Sequence, residues 1–212
     1  MNTLVCFALK EEAAPFRKIA AGRVGVAVLI VGIGRDNAEK SVRGLLAGGT
    51  LAPPDLVLTC GFAGGLKSNL KLGEVVFETT DENVRAKLLA AGAKPAKFFC
   101  ADRIATTVFE KKRLRAETGA DVVEMESAAI HMVCTERKIP CATVRVISDT
   151  ADEDLPLDFN ALSKSDKSLD FGKLFLAMAK APGKIPRLMA LGKKTNFAAQ
   201  QLARALEIII SA

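Results

Sequence analysis

Hydrophobic and polar positions along the first 150 residues follow two alternating periods. Short apolar runs, typical of buried strands, alternate with longer segments in which apolar residues recur every three or four positions, as on one face of a helix. The short runs predict strands at Thr3–Leu9, Gly25–Val31, Leu56–Thr59, Glu74–Glu78, Lys97–Cys100, Asp121–Val123 and Cys141–Ile147. The longer segments predict helices at Glu11–Ala20, Asp36–Ala47, Asp81–Ala91, Thr106–Glu117 and Glu124–Arg137. This alternation predicts an α/β fold in which helices flank both faces of a mixed central sheet.

The pattern changes after Asp149, where the strand-like runs stop. Residues 158–180 and 184–210 have helical periodicity, and Pro182-Gly183 separates them. The sequence therefore predicts a helical C-terminal tail. With 212 residues, of which 50% are hydrophobic, the chain can bury a substantial core. We expect residues 1–212 to form a single domain.

Composition and charge argue against several classes of protein. The net charge of +6 comes from scattered basic residues without interleaved aromatic residues, which argues against a nucleic-acid-binding surface. Five cysteines without a C-x-x-C pair and a single histidine, His131, argue against a disulfide framework, a zinc site and a Ser-His-Asp triad. Residues 1–10 are typical of a strand rather than a signal peptide, and no apolar run approaches the ~20 residues of a membrane span. We expect a cytoplasmic protein with reduced thiols and neither metal nor cofactor.

Glu126 is a candidate functional residue because the pattern places its carboxylate on an apolar face. On the predicted helix Glu124–Arg137, Glu126 shares a stripe with apolar residues such as Val133, whereas Glu124 lies on the wet face. A buried carboxylate is costly unless it is paired, so it often has a chemical function. Asp149 is a second candidate, because it ends an apolar strand and open α/β sheets bind ligands at the carboxyl ends of their strands. A surface helix and a strand-ending aspartate explain the two positions equally well.

Two motifs carry a resemblance to a known family. Glu124-Met-Glu-Ser-Ala-Ala129, followed by Arg145-Val-Ile-Ser-Asp149, resembles the signature of the purine nucleoside phosphorylase and nucleosidase superfamily, with methylthioadenosine/S-adenosylhomocysteine nucleosidases as the nearest pattern. Three further matches occur in the order of the family, at Ala8–Glu12, Gly32–Gly34 and Cys60–Leu66. The tail is similar to another branch, the hopanoid-associated phosphorylase-like proteins, at Asp152–Pro156 and Ala181–Gly192.

The resemblance implies an enzyme that cleaves the N-glycosidic bond of an adenine or related purine nucleoside. As the base leaves, a carboxylate stabilises the oxocarbenium character of the ribose, and a carboxylic acid delivers a proton to the purine. By resemblance the catalytic residues are Glu126, which would hold the ribose 2′-hydroxyl, Asp149, which would protonate purine N7, and Glu12, which would orient or deprotonate water. The implied substrate-binding residues are Phe62, Ala63, Gly64, Ile104, Glu124, Met125, Arg145 and Ser148.

Some of these residues have more specific implied roles. Met125 would pack on the sugar, and Ser148 would fix the carboxyl group of Asp149. Arg145 would neutralise the acidic cluster, although a simple ion pair with a neighbouring acid is an equally good interpretation. Ile104 stands where the family stacks the purine on a phenylalanine.

The sequence favours water over phosphate as the nucleophile. Phosphate needs a cationic or amide-lined pocket. Thr59 and Phe62 stand where the phosphorylase pattern has Arg and Ser, and the carboxylate of Glu12 would repel phosphate. Arg35 keeps phosphorolysis open as an alternative. A dinucleotide site at Gly32–Gly34 is disfavoured, because the third glycine of G-x-G-x-x-G is missing.

The sequence also departs from the nucleosidase pattern. The segment between Glu78 and Lys97 is shorter than its nucleosidase equivalent, which covers the sugar side of the site and contributes to the interface of a homo-oligomer. The 5′ substituent is therefore left open among methylthio, homocysteine and a larger apolar group, as in adenosylhopane.

One surface of the predicted C-terminal helix either packs on the sheet or contacts an anionic bilayer. It comprises Pro186, Met189, Ala190, Lys193, Phe197 and Ala198. A non-catalytic purine-binding protein on the same fold is the other alternative.

Overall fold

The computed structural model describes residues 2–48, 53–162 and 181–211. Within these ranges the strands are β1 (Thr3–Phe7), β2 (Val26–Ile30), β3 (Leu56–Gly65), β4 (Val75–Glu78), β5 (Lys94–Pro95), β6 (Phe98–Cys100), β7 (Val122–Glu124) and β8 (Cys141–Asp149). The helices are α1 (Lys10–Ala20), α2 (Arg35–Ala47), α3 (Glu82–Ala90), α4 (Val108–Thr118), α5 (Ser127–Glu136) and α6 (Ile185–Ile210). A 3₁₀ turn at Pro182–Lys184 precedes α6.

The strands join one mixed sheet. Its main path runs β2-β1-β3-β8-β4-β5, and β7 pairs with the last residues of β3 and with β6. The neighbours β2, β1, β3 and β8 are parallel, whereas β4 runs antiparallel to β8 and β7 runs antiparallel to β3. The mixed central sheet that the sequence predicts is therefore confirmed.

Helices cover both faces of the sheet, because successive residues of each strand point to opposite faces. In β1, Val5 and Phe7 belong to a core shared with α1 and α6, whereas Leu4 and Cys6 belong to a second core shared with α2 and α5. The ring of Phe7 lies 5.9 Å from that of Phe16 on α1. Truncating either buried ring to alanine would cost about 3–5 kcal/mol of stability. This packing fixes the sheet edge on which the candidate site is built.

The helix predicted at Glu124–Arg137 is wrong at its start. The strand predicted at Asp121–Val123 is β7, which extends to Glu124, and α5 begins only at Ser127. The backbone N–H of Ala101 donates to the carbonyl oxygen of Glu124 at 2.7 Å, which continues the pairing of β6 with β7. The sequence predicts this strand but not its last residue, because Glu124 also fits the helical spacing that follows. Pairing with distant strands decides the conformation of Glu124.

Two further predictions differ from the structure in extent. The strand predicted to end at Thr59 continues to Gly65, because its glycine-rich end pairs with β7 and β8 instead of forming a loop. The helix predicted over 158–180 lies mostly outside the described residues, and residues 159–162 form a turn. The predicted helix over 184–210 is confirmed as α6.

Candidate active site

Arg145 of β8 is the centre of a buried cluster of charges. Its side chain is 1% exposed, and its Nη2 donates to Oε2 of Glu124 at 2.6 Å. The same nitrogen donates to Oγ1 of Thr59 at 3.1 Å and lies 3.4 Å from Oε2 of Glu126. A buried guanidinium without such partners would be strongly destabilising. The structure thus places Arg145 beside the predicted acids, as an ion-pair partner.

Glu124 corrects the expectation that its side chain lies on the wet face. It is 4% exposed, and its carboxylate accepts hydrogen bonds from the backbone N–H groups of Glu126 and Ser127 and from the hydroxyl of Ser127. Burial alone would raise the pKa of Glu124, but Arg145 and these hydrogen bonds outweigh it and lower the pKa. The expectation is wrong because Glu124 belongs to a strand, where helical spacing does not describe which face a residue occupies.

Glu126 is buried as expected, but not because it lies on the apolar face of a helix. It lies at the N-terminal cap of α5, and its Oε1 accepts a hydrogen bond from the backbone N–H of Gly34 at 2.8 Å. Burial raises the pKa of Glu126 to about 7; the neighbouring charge of Arg145 opposes this shift and that of Glu124 adds to it. This carboxyl group can therefore change its protonation state near neutral pH.

Glu12 reaches the same cluster from the first turn of α1. Its two carboxylate oxygens accept hydrogen bonds from the backbone N–H groups of Leu9 at 2.9 Å and Phe62 at 2.8 Å. Burial raises the pKa of Glu12, although these N–H donors and Arg145 oppose the shift. A Cβ atom at Gly61, where φ is +145°, would lie 2.8 Å from Glu12 and 2.6 Å from Arg145. Glycine at this position lets β3 approach both charged groups closely.

Asp149 ends β8 and lies at the other end of the glycine-rich part of β3. The hydroxyl of Ser148 donates to Oδ1 of Asp149 at 2.7 Å, as expected for a residue that fixes this carboxyl group. The Nζ atom of Lys111 lies 2.6 Å from Oδ2. A Cβ atom at Gly64 would lie 3.3 Å from Oδ2, so the strand passes close to the carboxylate.

A β-bulge sets the position of Asp149 relative to the acid cluster. Gly61 pairs with Arg145, but the register shifts after Ala63, so that Gly64 pairs with Asp149. The extra residue of the bulge is Ser148, and bulges often re-aim side chains in this way. Gly61 and Gly64, which mark the two ends of the site, are three positions apart on β3, a distance of about 10 Å at the usual rise per residue.

The remaining predicted residues lie around these groups. Met125 and Ala63 are buried, and Phe62 is partly buried against the core. Ile104 is partly buried, and the side-chain amide of Asn160 both accepts from its N–H and donates to its C=O, each at 2.9 Å. Arg35 donates to the carbonyl oxygen of Cys100 and pairs with Asp102.

Sequence reasoning missed two residues that contact the candidate site, Lys111 and Asn160. Val108, Lys111 and Leu114 follow each other at a spacing of three on one face of α4, and both apolar residues are partly buried. A lysine on this apolar face was the feature of the sequence that could have indicated a buried charge. Asn160 lies in a turn, and its pairing with Ile104 spans 56 residues. No local pattern predicts such a contact.

Comparison with known proteins relates the chain to one family. The model of the phosphorylase superfamily matches residues 93–180. A 5′-methylthioadenosine/S-adenosylhomocysteine nucleosidase of Glaesserella parasuis is 29% identical over 180 residues, covering 68% of this chain and 77% of that protein. An aminodeoxyfutalosine nucleosidase of Campylobacter jejuni is 32% identical over 147 residues, covering 63% of this chain and 60% of that protein.

Solved structures share the fold at lower identity. The 5′-methylthioadenosine/S-adenosylhomocysteine nucleosidase from Neisseria meningitidis, in complex with methylthio-immucillin-A, superposes with a TM-score of 0.73 at 19% identity and covers 100% of both chains. The futalosine hydrolase of Helicobacter pylori superposes with a TM-score of 0.72 at 18% identity, covering 99% of this chain and 97% of that chain. These likenesses confirm the predicted fold class.

Proposed function

We propose that this chain, which the model of the phosphorylase superfamily matches over residues 93–180, hydrolyses the N-glycosidic bond of an adenine nucleoside carrying a 5′ substituent. Two of its sequence relatives are nucleosidases for 5′-methylthioadenosine/S-adenosylhomocysteine and for aminodeoxyfutalosine. The observation that carries the proposal is the buried group of Glu12, Glu126 and Arg145, joined through β3 to Asp149. Glycosidic cleavage commonly uses carboxyl groups that flank the scissile bond, and here carboxyl groups lie at both ends of one stretch of β3.

The acid cluster would bind the ribose. Breaking the bond to the base leaves positive charge on the sugar, which nearby carboxylates stabilise in a site shielded from water. Glu126 would accept a hydrogen bond from the 2′-hydroxyl, and Met125 would pack against the ring. Glu126 has a pKa of about 7, raised chiefly by burial, so its ionised form is accessible when the cationic transition state develops.

The two other acids would move the protons. Glu12 would take a proton from water, whose oxygen bonds to the anomeric carbon of the ribose. The electrons of the broken bond leave with the base, and Asp149 would pass a proton to N7. Returning the proton from Glu12 to solvent and restoring one to the Asp149 side completes the cycle. General acid–base steps of this kind contribute about 10²–10⁴-fold to rate.

Water suits the site better than phosphate, because the groups that would hold phosphate already have partners. The hydroxyl of Thr59 accepts from Arg145, and the N–H of Phe62 donates to Glu12. Arg35 donates to the carbonyl of Cys100 and pairs with Asp102. Phosphorolysis at Arg35 is the second candidate. Arg35 would have to break its contacts with Cys100 and Asp102 to bind phosphate.

Product analysis with and without phosphate tests the proposal. Purified protein should release adenine from at least one 5′-substituted adenosine and produce the free sugar even in excess phosphate. A sugar 1-phosphate formed only when phosphate is present would establish phosphorolysis instead. If a broad panel of purine nucleosides, including apolar 5′-substituted ones, yields no free base, the protein binds purines without catalysis.

The size of the 5′ substituent is a finer proposal. We infer an apolar substituent larger than methylthio, because the segment after Glu78 is short and the N-terminal half of α6 carries two exposed apolar side chains, Met189 and Phe197. None of the helices in the described ranges has the length and apolarity needed to cross a bilayer. Contact with an anionic membrane surface, a homo-oligomer and a cytoplasmic location stay predictions. A rise in kcat/KM with the length of the 5′ chain would support the larger substituent, and a further rise with anionic vesicles would support membrane contact. Highest efficiency on methylthioadenosine would oppose the larger substituent.

A further inference from the structure

Lys111 of α4 is a buried cation in contact with Asp149, the acid that would protonate the departing purine. Its side chain is 0% exposed, and its Nζ lies 2.6 Å from Oδ2 of Asp149. The same Nζ donates to the carbonyl oxygens of Thr150 at 2.7 Å and Glu153 at 2.8 Å. Lysine is almost never fully buried without a partner, and here the three contacts match the three N–H groups of an ammonium.

The position of Lys111 is fixed by the ends of its helix. Thr107 caps the N-terminus of α4 and forms a capping box with Glu110, and Gly119 ends the helix in the left-handed conformation with φ of +64°. Oδ1 of Asp154 accepts the backbone N–H of Val108 at 2.6 Å. The hydrogen bond to Asp154 joins α4 to the segment that follows β8, so Lys111 and Asp149 are held against each other.

Asp149 needs a source for the proton that it passes to the base. Both of its oxygens accept hydrogen bonds, Oδ1 from the hydroxyl of Ser148 and Oδ2 from Lys111. The proton for the base can therefore reach Asp149 through one of these two contacts. Of its two partners, an ammonium is a far stronger acid than a serine hydroxyl.

We propose that Lys111 positions Asp149 and supplies, through it, the proton that the departing purine takes up. This inference deepens the proposed function and rests on it. As the glycosidic bond breaks, its electron pair leaves with the base. One proton moves from Nζ of Lys111 to Asp149 and on from Asp149 to N7, so Asp149 ends the step in the state in which it began. Lys111 is left as a neutral amine, and water restores its proton through Asp149, whose side chain is 10% exposed.

A series of leaving groups separates this role from a structural one. The test compares ribosides of adenine, 2-fluoroadenine and 4-nitrophenol. In this order, the leaving group depends less and less on being protonated as the bond breaks. In Lys111→Met, kcat should fall about 10²-fold for the adenine nucleoside, the size of a general acid contribution. The loss should shrink for 2-fluoroadenine and shrink further for 4-nitrophenol. Lys112→Met, at the exposed neighbouring position, is the matched control and should retain wild-type rates for the whole series.

Two further variants keep the test decisive. Lys111→Gln keeps an N–H donor for the two carbonyls but removes the charge, and it should show the same dependence on leaving group even if Lys111→Met folds poorly. In the background of Asp149→Asn, Lys111→Gln should cause no further loss with the adenine nucleoside, because the two residues act in series. An equal loss for every leaving group, or no loss at all, would overturn the proposal. If the wild type itself releases no base, the proposed function fails instead.

Discussion

The two ends of the site use the same kinds of side chains in different ratios. At one end, Glu12, Glu124 and Glu126 surround the single guanidinium of Arg145. At the other end, the single carboxylate of Asp149 meets the single ammonium of Lys111. Both groups are buried, so neighbouring charges interact strongly at each end.

This difference in charge ratio explains the different behaviour of the acids. One guanidinium does not fully compensate three buried carboxyl groups, so the pKa values of Glu126 and Glu12 are raised by burial while that of Glu124, closest to Arg145, is lowered. Asp149 has a cation to itself, and its chemistry is set by that cation. Among the three glutamates, the contact with Arg145 rather than burial alone distinguishes the lowered pKa of Glu124 from the raised pKa values of Glu12 and Glu126.

Removing the shared cation should have the largest effect. In Arg145→Met the acids lose their common partner, and breaking a buried ion pair costs about 3–5 kcal/mol. We expect a fall of that size in the free energy of unfolding, measured in urea, together with loss of base release. Arg43→Met is the control, because Arg43 pairs with Glu136 on the surface, where such pairs contribute only about 0–1 kcal/mol. Similar losses in the two variants would contradict the central role of Arg145.

Neutralising one acid at each end should reduce activity while leaving the fold intact. Glu126→Gln and Asp149→Asn should each lower kcat for the adenine nucleoside by about 10²-fold or more. Only Asp149→Asn should show a loss that depends on the leaving group, because only that end protonates the base. Circular dichroism should be unchanged for both. Identical dependence on the leaving group would mean that the two ends do not divide the chemistry as proposed.

Glu124→Gln should reduce stability, because Glu124 is buried and paired with Arg145 rather than exposed on a wet helical face. The substitution weakens the ion pair with Arg145 and places an amide where Glu126 and Ser127 donate hydrogen bonds. A loss of about 1–3 kcal/mol is expected, the cost of leaving buried partners poorly paired. Equilibrium unfolding measures it, with Glu136→Gln as an exposed control. An unchanged free energy of unfolding would restore the wet-face interpretation.

The smallest expected effect is a dependence of stability on pH. The pKa of Glu126 rises from 4.5 to about 7 on folding, so the folded chain holds this proton more tightly than the unfolded chain. Its contribution to stability is present below pH 4.5 and is lost as pH rises to about 7. The difference in free energy of unfolding between wild type and Glu126→Gln should fall across this interval. A difference that rises or stays constant would contradict the raised pKa.

Much of the fold and part of the site could be predicted from the sequence. Hydrophobic periodicity depends on neighbours a few residues apart, so it located most strands and helices, including those that end beside Glu12 and Asp149. The placement of these acids at strand ends followed from the general construction of α/β sheets. The motifs around Glu126 and Arg145 then indicated which polar residues to examine.

Only the tertiary structure decided how these groups are paired. The burial of Glu124 depends on the pairing of β7 with β3 and β6, and the position of Asp149 depends on a bulge between β3 and β8. The contact between Lys111 and Asp149 requires α4 to pack beside the end of β8. Such contacts join residues far apart in the chain, where local periodicity carries no information. The sequence by itself thus determined which acids are present near the strand ends, and the tertiary structure decided which cation each acid shares.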